Sequence, residues 1–461
     1  ARYIVIPVSI TGESLMRNHP LNELAAHEAV AEMAAGNITS EALTKACLDR
    51  IEAREATVQA WAYLDPEHAL EQARELDRQR AAGGETGPLH GVPVALKDIF
   101  DTSDMPTENG SRLFEGRRPT VDSFVAQLLR QAGAVIIGKT VSTEIAMMTP
   151  SKTRNPHDPE RTPGGSSSGS CASVGDYMVP MALGSQTSGS TLRPASFCGI
   201  YGYKPTFGSI SCLGVSAISR KLDHVGPLAR SLEDLALLSD ILMVYDPRDK
   251  EMRGNPNFSL QAAVARPLDG APRIGFARTP AWHDGDPEAF KTFEAFVRKL
   301  GATVEEVELP ESFGDLLSHH DKIMGAGVAY YFGDEVDRKP PRMEQMTLDR
   351  IALGKEVTAY EYMRALDAVD GIRDNVYEAM RNYDALIVPP ATGEAPIGFK
   401  TTGSPVFQAP WTLLGMPGLC LPMLKGPAGM PFGIQLMACK GDDAHLFRVA
   451  KWVETKAGAA A

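Results

Sequence analysis

Two short runs of glycine and serine are the places in this sequence where chemistry is most easily envisaged. They occupy residues 164–170 and 184–190, and the interval between them, residues 171–183, is apolar. A flexible Gly/Ser linker would not enclose such a stretch. We therefore interpret the segment as a buried passage with a tight polar turn at each end. Glycines in such turns leave backbone N–H groups bare, which is what an anion or oxyanion site requires.

The serines of these runs are candidate nucleophiles, and a serine needs a base to act as one. The sequence suggests no His–Asp arrangement, but lysine is the base in some variants of the serine mechanism. Lys97 is the candidate, because it ends the apolar segment 91–97, which we predict to be a buried strand. Desolvation there would lower the pKa of the lysine and leave a neutral amine that accepts a proton. The alternative is a lysine at a strand end that simply reaches solvent.

Two formal motif matches are rejected on structural grounds. Residues 133–140 satisfy the phosphate-loop pattern GxxxxGK[ST], but the interval Ala-Val-Ile-Ile is itself a predicted strand, where the motif needs a flexible loop. Residues 165–169 satisfy GxSxG, which would make Ser167 the nucleophile. That motif requires a strand running into the turn, and Arg-Thr-Pro-Gly precedes it instead. We predict neither a nucleotide site nor a nucleophile elbow.

Six long motifs follow one another along the chain: 91–98 (GVPVALKD), 138–144 (GKTVSTE), 163–169 (PGGSSSG), 184–190 (GSQTSGS), 197–206 (FCGIYGYKPT) and 415–422 (GMPGLCLP). In content and order they resemble those of the amidase signature family of Ser–cis-Ser–Lys amidohydrolases. The resemblance extends from about residue 20 to 455 and is weakest between 235 and 380.

The resemblance implies a catalytic triad of Ser190, Ser166 and Lys97. Ser190 would form the acyl-enzyme, and Ser166, on a cis peptide bond, would relay a proton between Ser190 and Lys97. No metal and no organic cofactor are implied. The family's oxyanion hole maps to the backbone N–H groups of Thr187, Ser188, Gly189 and Ser190.

The chain departs from the family pattern beside the proposed nucleophile. The family usually has Asp where Gln186 stands and often Arg where Leu192 stands, whereas here the arginine is Arg193. A family glycine is replaced by Ser188, whose backbone N–H survives. We expect these changes to affect the choice of substrate more than the catalytic core, because the Ser188 side chain could narrow the pocket or hydrogen-bond the substrate.

The pockets for the acyl and leaving groups should come from the variable segment 235–380 and from loops beside the signature. Methionine and aromatic residues are the candidates for the pocket walls, although they are also common in an ordinary apolar core. If several line one cavity, we expect an aryl or otherwise bulky apolar amide, anilide or carbamate as substrate. The apolar candidates are Met147, Met148, Met324, Tyr330, Tyr331, Phe332, Phe407 and Trp411.

Strand-like and helix-like segments alternate along the chain, which predicts the α/β class. We expect a single large domain with a central mixed, largely parallel β-sheet covered by helices on both faces. An N-terminal arm (1–19) would precede the amidase-signature domain (20–455), and a tail (456–461) would follow it. Within the domain we distinguish a signature core (about 85–230), a variable substrate-pocket region (about 235–380) and a C-terminal sheet segment (about 384–455).

Composition excludes several other classes of protein. The chain has 46 Lys and Arg against 58 Asp and Glu, a net charge of −12, which argues against a nucleic-acid partner. No run approaches the roughly 18 apolar residues of a membrane span, so we expect no membrane partner and a cytoplasmic location. The cysteines form no CxxC pair, and His319 and His320 are expected to be a solvated pair, so no metal is predicted.

These observations favour a hydrolase acting on carbon–nitrogen bonds other than peptide bonds, in linear amides. Ester or carbamate (urethane) hydrolysis is a close variant with the same acyl chemistry. The first alternative is a glutamine-hydrolysing amidotransferase subunit, which needs a partner that consumes ammonia. The second is a catalytically inactive binding protein, against which the retention of Lys97, Ser166 and Ser190 argues. We expect a small-molecule substrate and a monomer or homodimer.

Overall fold

The computed structural model describes residues 20–301, 303–338 and 342–458. The predicted N-terminal arm lies outside the described residues, as do residues 459–461 of the predicted tail. The last helix ends at Gly458, so the first three residues of that tail are helical.

Eleven strands of the described residues form one sheet, in the order β1-β3-β2-β4-β6-β5-β10-β11-β9-β7-β8. The sheet therefore joins the signature core, the variable region and the C-terminal segment, as expected for a single large domain. The strands are β1 (Trp61–Leu64), β2 (Pro93–Lys97), β3 (Val135–Thr140), β4 (Met181–Gln186), β5 (Tyr201–Lys204), β6 (His224–Ala229), β7 (Ile274–Ala277), β8 (Val304–Val307), β9 (Ala385–Val388), β10 (Gly418–Lys425) and β11 (Pro431–Met437).

The predicted mixed sheet is confirmed, but its parallel pairs are fewer than we expected. Parallel pairing joins β2 to β3 and β4, and β7 to β8 and β9. The centre, from β4 through β6, β5, β10 and β11 to β9, is antiparallel, as is the pair β1 and β3. One physical reason is the tight turn between β10 and β11, closed by the bond from Gly426 N to Met430 O, because such a turn can connect only antiparallel strands.

Helices flank the sheet, and several begin with the caps that the sequence indicates. The Thr39 side chain accepts from Ala42 N at the start of α2, and Asp65 accepts from His68 N at the start of α3. The helices are α1 (Ala26–Ala34), α2 (Ser40–Val58), α3 (Pro66–Ala81), α4 (Phe124–Gln131), α5 (Ser168–Gly175), α6 (Leu192–Cys198), α7 (Leu232–Leu242), α8 (Leu260–Ala265), α9 (Pro287–Lys299), α10 (Leu316–Arg338), α11 (Gln345–Lys355), α12 (Ala359–Met380), α13 (Ala409–Leu413) and α14 (Asp443–Gly458). No helix of the described residues is long and apolar enough to cross a membrane.

Neighbouring parallel strands bring the two Gly/Ser runs towards the predicted base. β2 and β4 pair in register, with Leu96 opposite Leu183, so both strands end at the same edge of the sheet. β2 ends at Lys97, while the chain that leaves β4 continues into residues 187–190. The first run leads into α5, which is buried against the sheet, as the prediction of a buried passage requires.

The variable region contributes its longest helices to a second apolar cluster. Ile323 of α10 and Ile372 of α12 are buried in this cluster, together with Trp411 of α13 from the C-terminal segment. α10 packs against α11, α12 and α13, and it carries one buried face towards the loop that follows β4. That face supplies side chains to the site described next.

Candidate active site

Lys97 is fully buried at the end of β2. Its Nζ donates to Ser166 Oγ at 2.7 Å and to Ser185 Oγ at 2.8 Å, and it forms no ion pair within the described residues. Burial lowers the pKa of Lys97 to about 7, because the charged form loses its hydration. The predicted strand and its buried terminal lysine are confirmed, so the alternative of a lysine that reaches solvent is wrong. A neutral amine capable of accepting a proton is therefore available here near neutral pH.

The two serines that follow Gly165 have different surroundings. The Gly165–Ser166 peptide bond is cis, as the resemblance implies, and Ser166 Oγ is the atom that Lys97 contacts. Ser167 is buried, and its hydroxyl is hydrogen-bonded to both backbone groups of Ser185, at 3.1 and 3.2 Å. No strand precedes the turn, since Arg161 forms only an isolated bridge. The rejection of Ser167 as the nucleophile of an elbow agrees with this geometry.

Ser190 lies between the end of β4 and the start of α6 and is only partly buried. Its hydroxyl makes no hydrogen bond with any residue that the structure describes. The backbone turns between β4 and α6, and Gln186 Oε1 stabilises this turn by accepting from Thr191 N at 2.9 Å and from Leu192 N at 3.0 Å. Gln186 thereby satisfies backbone N–H groups at the start of α6, which have no partner within the helix. Ser190 is thus held at a helix start with its hydroxyl open to a ligand.

The loop 187–190 presents its backbone N–H groups without protein partners. Within the described ranges, none of the four N–H groups donates a hydrogen bond, whereas Thr187 O, Ser188 O and Gly189 O all accept one. A Cβ at Gly189 would lie 2.7 Å from Gln408 Oε1, so a side chain at this position would require the buried Gln408 amide to move. A row of unpaired donors next to a serine is the geometry that stabilises a developing oxyanion.

Helix α10 covers the Ser188 side of this loop. Ser188 Oγ lies 3.2 Å from His320 Nε2 and 3.3 Å from Met324 Sδ. His320 is buried, and burial lowers its pKa, so the expectation of a solvated histidine pair is wrong for this residue. The physical reason is that the buried face of α10 packs on the loop after β4, which the local sequence does not reveal. Met324 belongs to the predicted apolar set and does contact the loop.

Two charged side chains, the half-buried Asp223 and the buried Arg193, lie behind the site. Asp223 accepts from Thr187 Oγ1 at 2.6 Å, and burial raises the pKa of this carboxyl to about 6. Arg193 donates to Thr402 O at 2.9 Å and to Gly165 O at 2.8 Å. Arg193 has no carboxylate partner in the part of the chain that the structure describes, and burial lowers its pKa to about 10. This arginine therefore holds the Gly165 carbonyl, which belongs to the cis peptide.

The remaining members of the predicted pocket set are distributed between surface and core. Met148 and Tyr330 are 48% and 79% exposed, whereas Met147 is buried. A role for any of these side chains as a pocket wall stays a prediction. The three largest buried members pack on other rings, in the pairs Phe332–Phe114, Phe407–Phe290 and Trp411–Phe313.

The sequence alone does not indicate Ser185, Asp223, His320 or Thr412 as site residues. Ser185 lies within the second Gly/Ser run, so its position is a usable signal. The other three reach the site from remote parts of the chain. Among the described residues, no group of three or more His, Cys, Asp or Glu side chains is arranged to hold a metal ion.

Comparison with known proteins agrees with this fold and site. The model of the family described as Amidase matches residues 42–447. The chain belongs to the amidase family, and the resemblance to amidase signature enzymes is confirmed.

The chain is also similar to individual curated proteins and solved structures over most of its length. Over 467 residues the chain is 35% identical to the A subunit of the glutamyl-tRNA(Gln) amidotransferase of Chloroflexus aurantiacus, covering 93% of this chain and 96% of that one. The corresponding protein of Salinispora arenicola is 34% identical, with 95% and 98% covered. The peptide amidase of Stenotrophomonas maltophilia is similar in structure, with a TM-score of 0.81, 30% identity and 95% and 98% coverage. A structure reported with the evolutionary origins of an s-triazine catabolic enzyme gives a TM-score of 0.87, with 29% identity and 94% and 98% coverage.

Proposed function

We propose that this protein hydrolyses a carboxylic amide of a small molecule through an acyl-enzyme on Ser190. The observation that carries the proposal is the contact between the buried Lys97 amine and Ser166 Oγ, on the edge of the sheet where the loop 187–190 leaves β4. Because the amine has no carboxylate partner among the described residues and its pKa is about 7, it is suited to accept a proton.

The proposed reaction proceeds in two halves. Ser190 Oγ attacks the carbonyl carbon while its proton passes to Ser166, and the Ser166 proton passes to Lys97. The carbonyl oxygen becomes an oxyanion that the N–H groups of residues 187–190 stabilise. The C–N bond then breaks as the proton returns along the same path to the leaving nitrogen. Water then attacks the acyl carbon and gives a proton to the same relay. The bond from that carbon to Ser190 Oγ breaks, the proton returns to Ser190 Oγ, and the carboxylic acid is released.

A second candidate is the glutamine-hydrolysing component of an amidotransferase. The curated relatives described above are both A subunits of glutamyl-tRNA(Gln) amidotransferases, and they support this alternative better than a free-standing amidase. In that role the same acyl chemistry would act on glutamine, and the ammonia would pass to a partner. The departures at Gln186 and Ser188 are our reason for keeping the free-standing hydrolase as a separate candidate.

A substrate panel separates these candidates. We would measure kcat/KM for glutamine, primary amides, acyl anilides, aryl esters and carbamates (urethanes), with Ser190→Ala, Ser166→Ala and Lys97→Ala as matched controls. Hydrolysis of anilides or carbamates well above glutamine supports the free-standing hydrolase. Glutaminase activity that rises when a copurified partner protein is added supports the amidotransferase. Turnover that persists in Ser190→Ala contradicts both, and a chain inactive on the whole panel supports a binding protein.

A further inference from the structure

Two side chains from the C-terminal half hold the carbonyl groups of the loop 187–190. His320 Nε2 lies 2.9 Å from Thr187 O, and Thr412 Oγ1 donates to Ser188 O at 2.7 Å. His320 comes from α10 and Thr412 from α13, and both are buried. Neither contacts Lys97 or Ser166, so the proposed relay does not account for them.

A hydrogen bond to one end of a peptide unit also orients its other end. A trans peptide is planar, and its C=O and N–H groups point in opposite directions. The bond to Thr187 O therefore directs the N–H of Ser188, and the bond to Ser188 O directs the N–H of Gly189. Both N–H groups lack acceptors in the described structure and belong to the proposed oxyanion hole. His320 and Thr412 thus orient the N–H groups of Ser188 and Gly189 without contacting them.

Gln186 determines which way the Thr412 hydroxyl points. Because Gln186 Oε1 accepts from two backbone N–H groups, its Nε2 must be the atom that faces Thr412, at 3.0 Å. The Thr412 oxygen receives that N–H, so its own proton is free to be donated. Ser188 O at 2.7 Å is a closer acceptor than Gln408 O at 3.1 Å.

The protonation of His320 follows from its partner. Thr187 O is only an acceptor, so His320 Nε2 must carry the proton. Burial lowers the pKa of His320, which keeps the ring neutral with Nε2–H as its donor. Ser188 Oγ shares this N–H at 3.2 Å and lies 3.3 Å from Met324 Sδ. Both bonds at the back of the loop therefore have defined directions.

We propose that His320 and Thr412 are positioning residues of the oxyanion hole, acting through the carbonyl groups of Thr187 and Ser188. The proposal rests on the proposed function, in which Ser190 is the nucleophile. Loss of either bond would leave the two N–H groups present but misoriented. The transition state would then be stabilised less, while the affinity for the substrate would not change.

Matched substitutions test Thr412 first. Thr412→Val keeps the shape and removes the hydroxyl, and Thr412→Ser restores it. Removing one oxyanion donor typically lowers kcat by about 10²–10³-fold. In Thr412→Val the Gly189 N–H remains, but the hydrogen bond to Ser188 O that orients it is lost. We therefore expect this variant to lower kcat about 10-fold or more with little change in KM. Thr412→Ser should recover most of the lost kcat. Thr44→Val in α2 is the control, because the Thr44 hydroxyl is buried without a hydrogen-bond partner and lies outside the site.

His320 is tested in the same way and with a readout that a purely structural role would not change. His320→Leu removes the donor, and His320→Gln offers a side-chain N–H in its place. For each variant we would compare the best substrate of the panel with its thionocarbonyl analogue, since sulfur accepts hydrogen bonds poorly. The preference for C=O over C=S should fall several-fold in His320→Leu and Thr412→Val and return in His320→Gln and Thr412→Ser. A loss of folded protein would lower both rates equally.

The outcomes are distinguishable from those of the proposed function. If Ser190→Ala is inactive but folded Thr412→Val and His320→Leu keep the wild-type kcat and C=O preference, this proposal is overturned and the nucleophile stands. A rise in KM at unchanged kcat would also overturn it. If Ser190→Ala remains active, the proposed function itself fails.

Discussion

The pKa of Lys97 predicts the shape of the pH–rate profile. With a pKa of about 7, the neutral fraction of Lys97 rises about tenfold between pH 6 and pH 8. An unburied lysine would be neutral in only about one molecule in 3,000 at pH 7. If neutral Lys97 receives the proton from Ser166, kcat/KM should rise with pH along a single titration centred near pH 7 and level off above about pH 8.

The assay uses a substrate without ionisable groups and covers pH 5.5 to 9.5. Asp223 is the group that needs a control, because burial raises its pKa to about 6 and it contacts the loop through Thr187. Its charge also raises the pKa of Lys97. The Asp223→Asn variant should therefore keep a single rise whose midpoint moves slightly down in pH.

Three results would refute the reasoning. A flat profile between pH 6 and pH 8 would show that no group with a pKa near 7 controls the rate. A midpoint above pH 9 would show that Lys97 keeps its ordinary pKa. Loss of the rise in Asp223→Asn would assign the titration to the carboxyl group instead of the amine.

Three further predictions concern the same site, and a fourth concerns the contact of α14 with Tyr203 and Thr206. Ser190→Ala should abolish turnover, and intact-mass and peptide analysis after a fluorophosphonate should find the adduct on Ser190; an adduct on Ser167 would contradict the assignment. Ser185→Ala should lower kcat by about 2–10-fold, because Lys97 loses one of two hydrogen bonds, and an inactive enzyme would show a larger role. The folded pKa of Lys97 lies below its unfolded value, so unfolded protein binds more protons between pH 7 and about 10.5; urea titrations should show wild-type stability rising over this window relative to Lys97→Met, and parallel curves would refute it. Asp443→Ala should lower the free energy of unfolding by about 3 kcal/mol or more, since it leaves three buried hydrogen-bond donations without an acceptor, and an unchanged urea midpoint would contradict this.

The parts of the site that the sequence reveals are those built from local segments. An apolar strand that ends in Lys97 predicts a buried amine, and the two Gly/Ser runs predict tight turns with bare N–H groups. The rejection of a phosphate loop at residues 133–140 also follows from local pattern, since residues 135–137 between its glycines belong to β3. These inferences succeed because strand formation and turn geometry depend on neighbouring residues.

The site residues that cannot be predicted from the sequence are those whose position depends on which face of a helix packs on which loop. His320 and Thr412 belong to helices whose buried sides are determined by packing over long distances, and Thr412 is 224 residues from Ser188. The pocket set stays a prediction for the same reason, because aromatic residues such as Phe407 and Trp411, which contact other rings here, occur both in cores and in pocket walls. The sequence also leads to too many parallel strands, because the alternation of strands and helices does not reveal the order in which strands pair.

The sheet order has a consequence for the synthesis of the protein. β5 pairs with β10, so strands from the first half of the chain have their neighbour near its end. Ser190 and Lys97 leave the ribosome long before Thr412, which holds the Ser188 carbonyl. A nascent chain that stops short of α13 therefore carries the proposed nucleophile and base without the hydroxyl that hydrogen-bonds Ser188 O. Such long-range pairing is also slow to form. The contacts of the loop 187–190 are therefore complete only after Thr412 has been translated and α13 has packed on this loop.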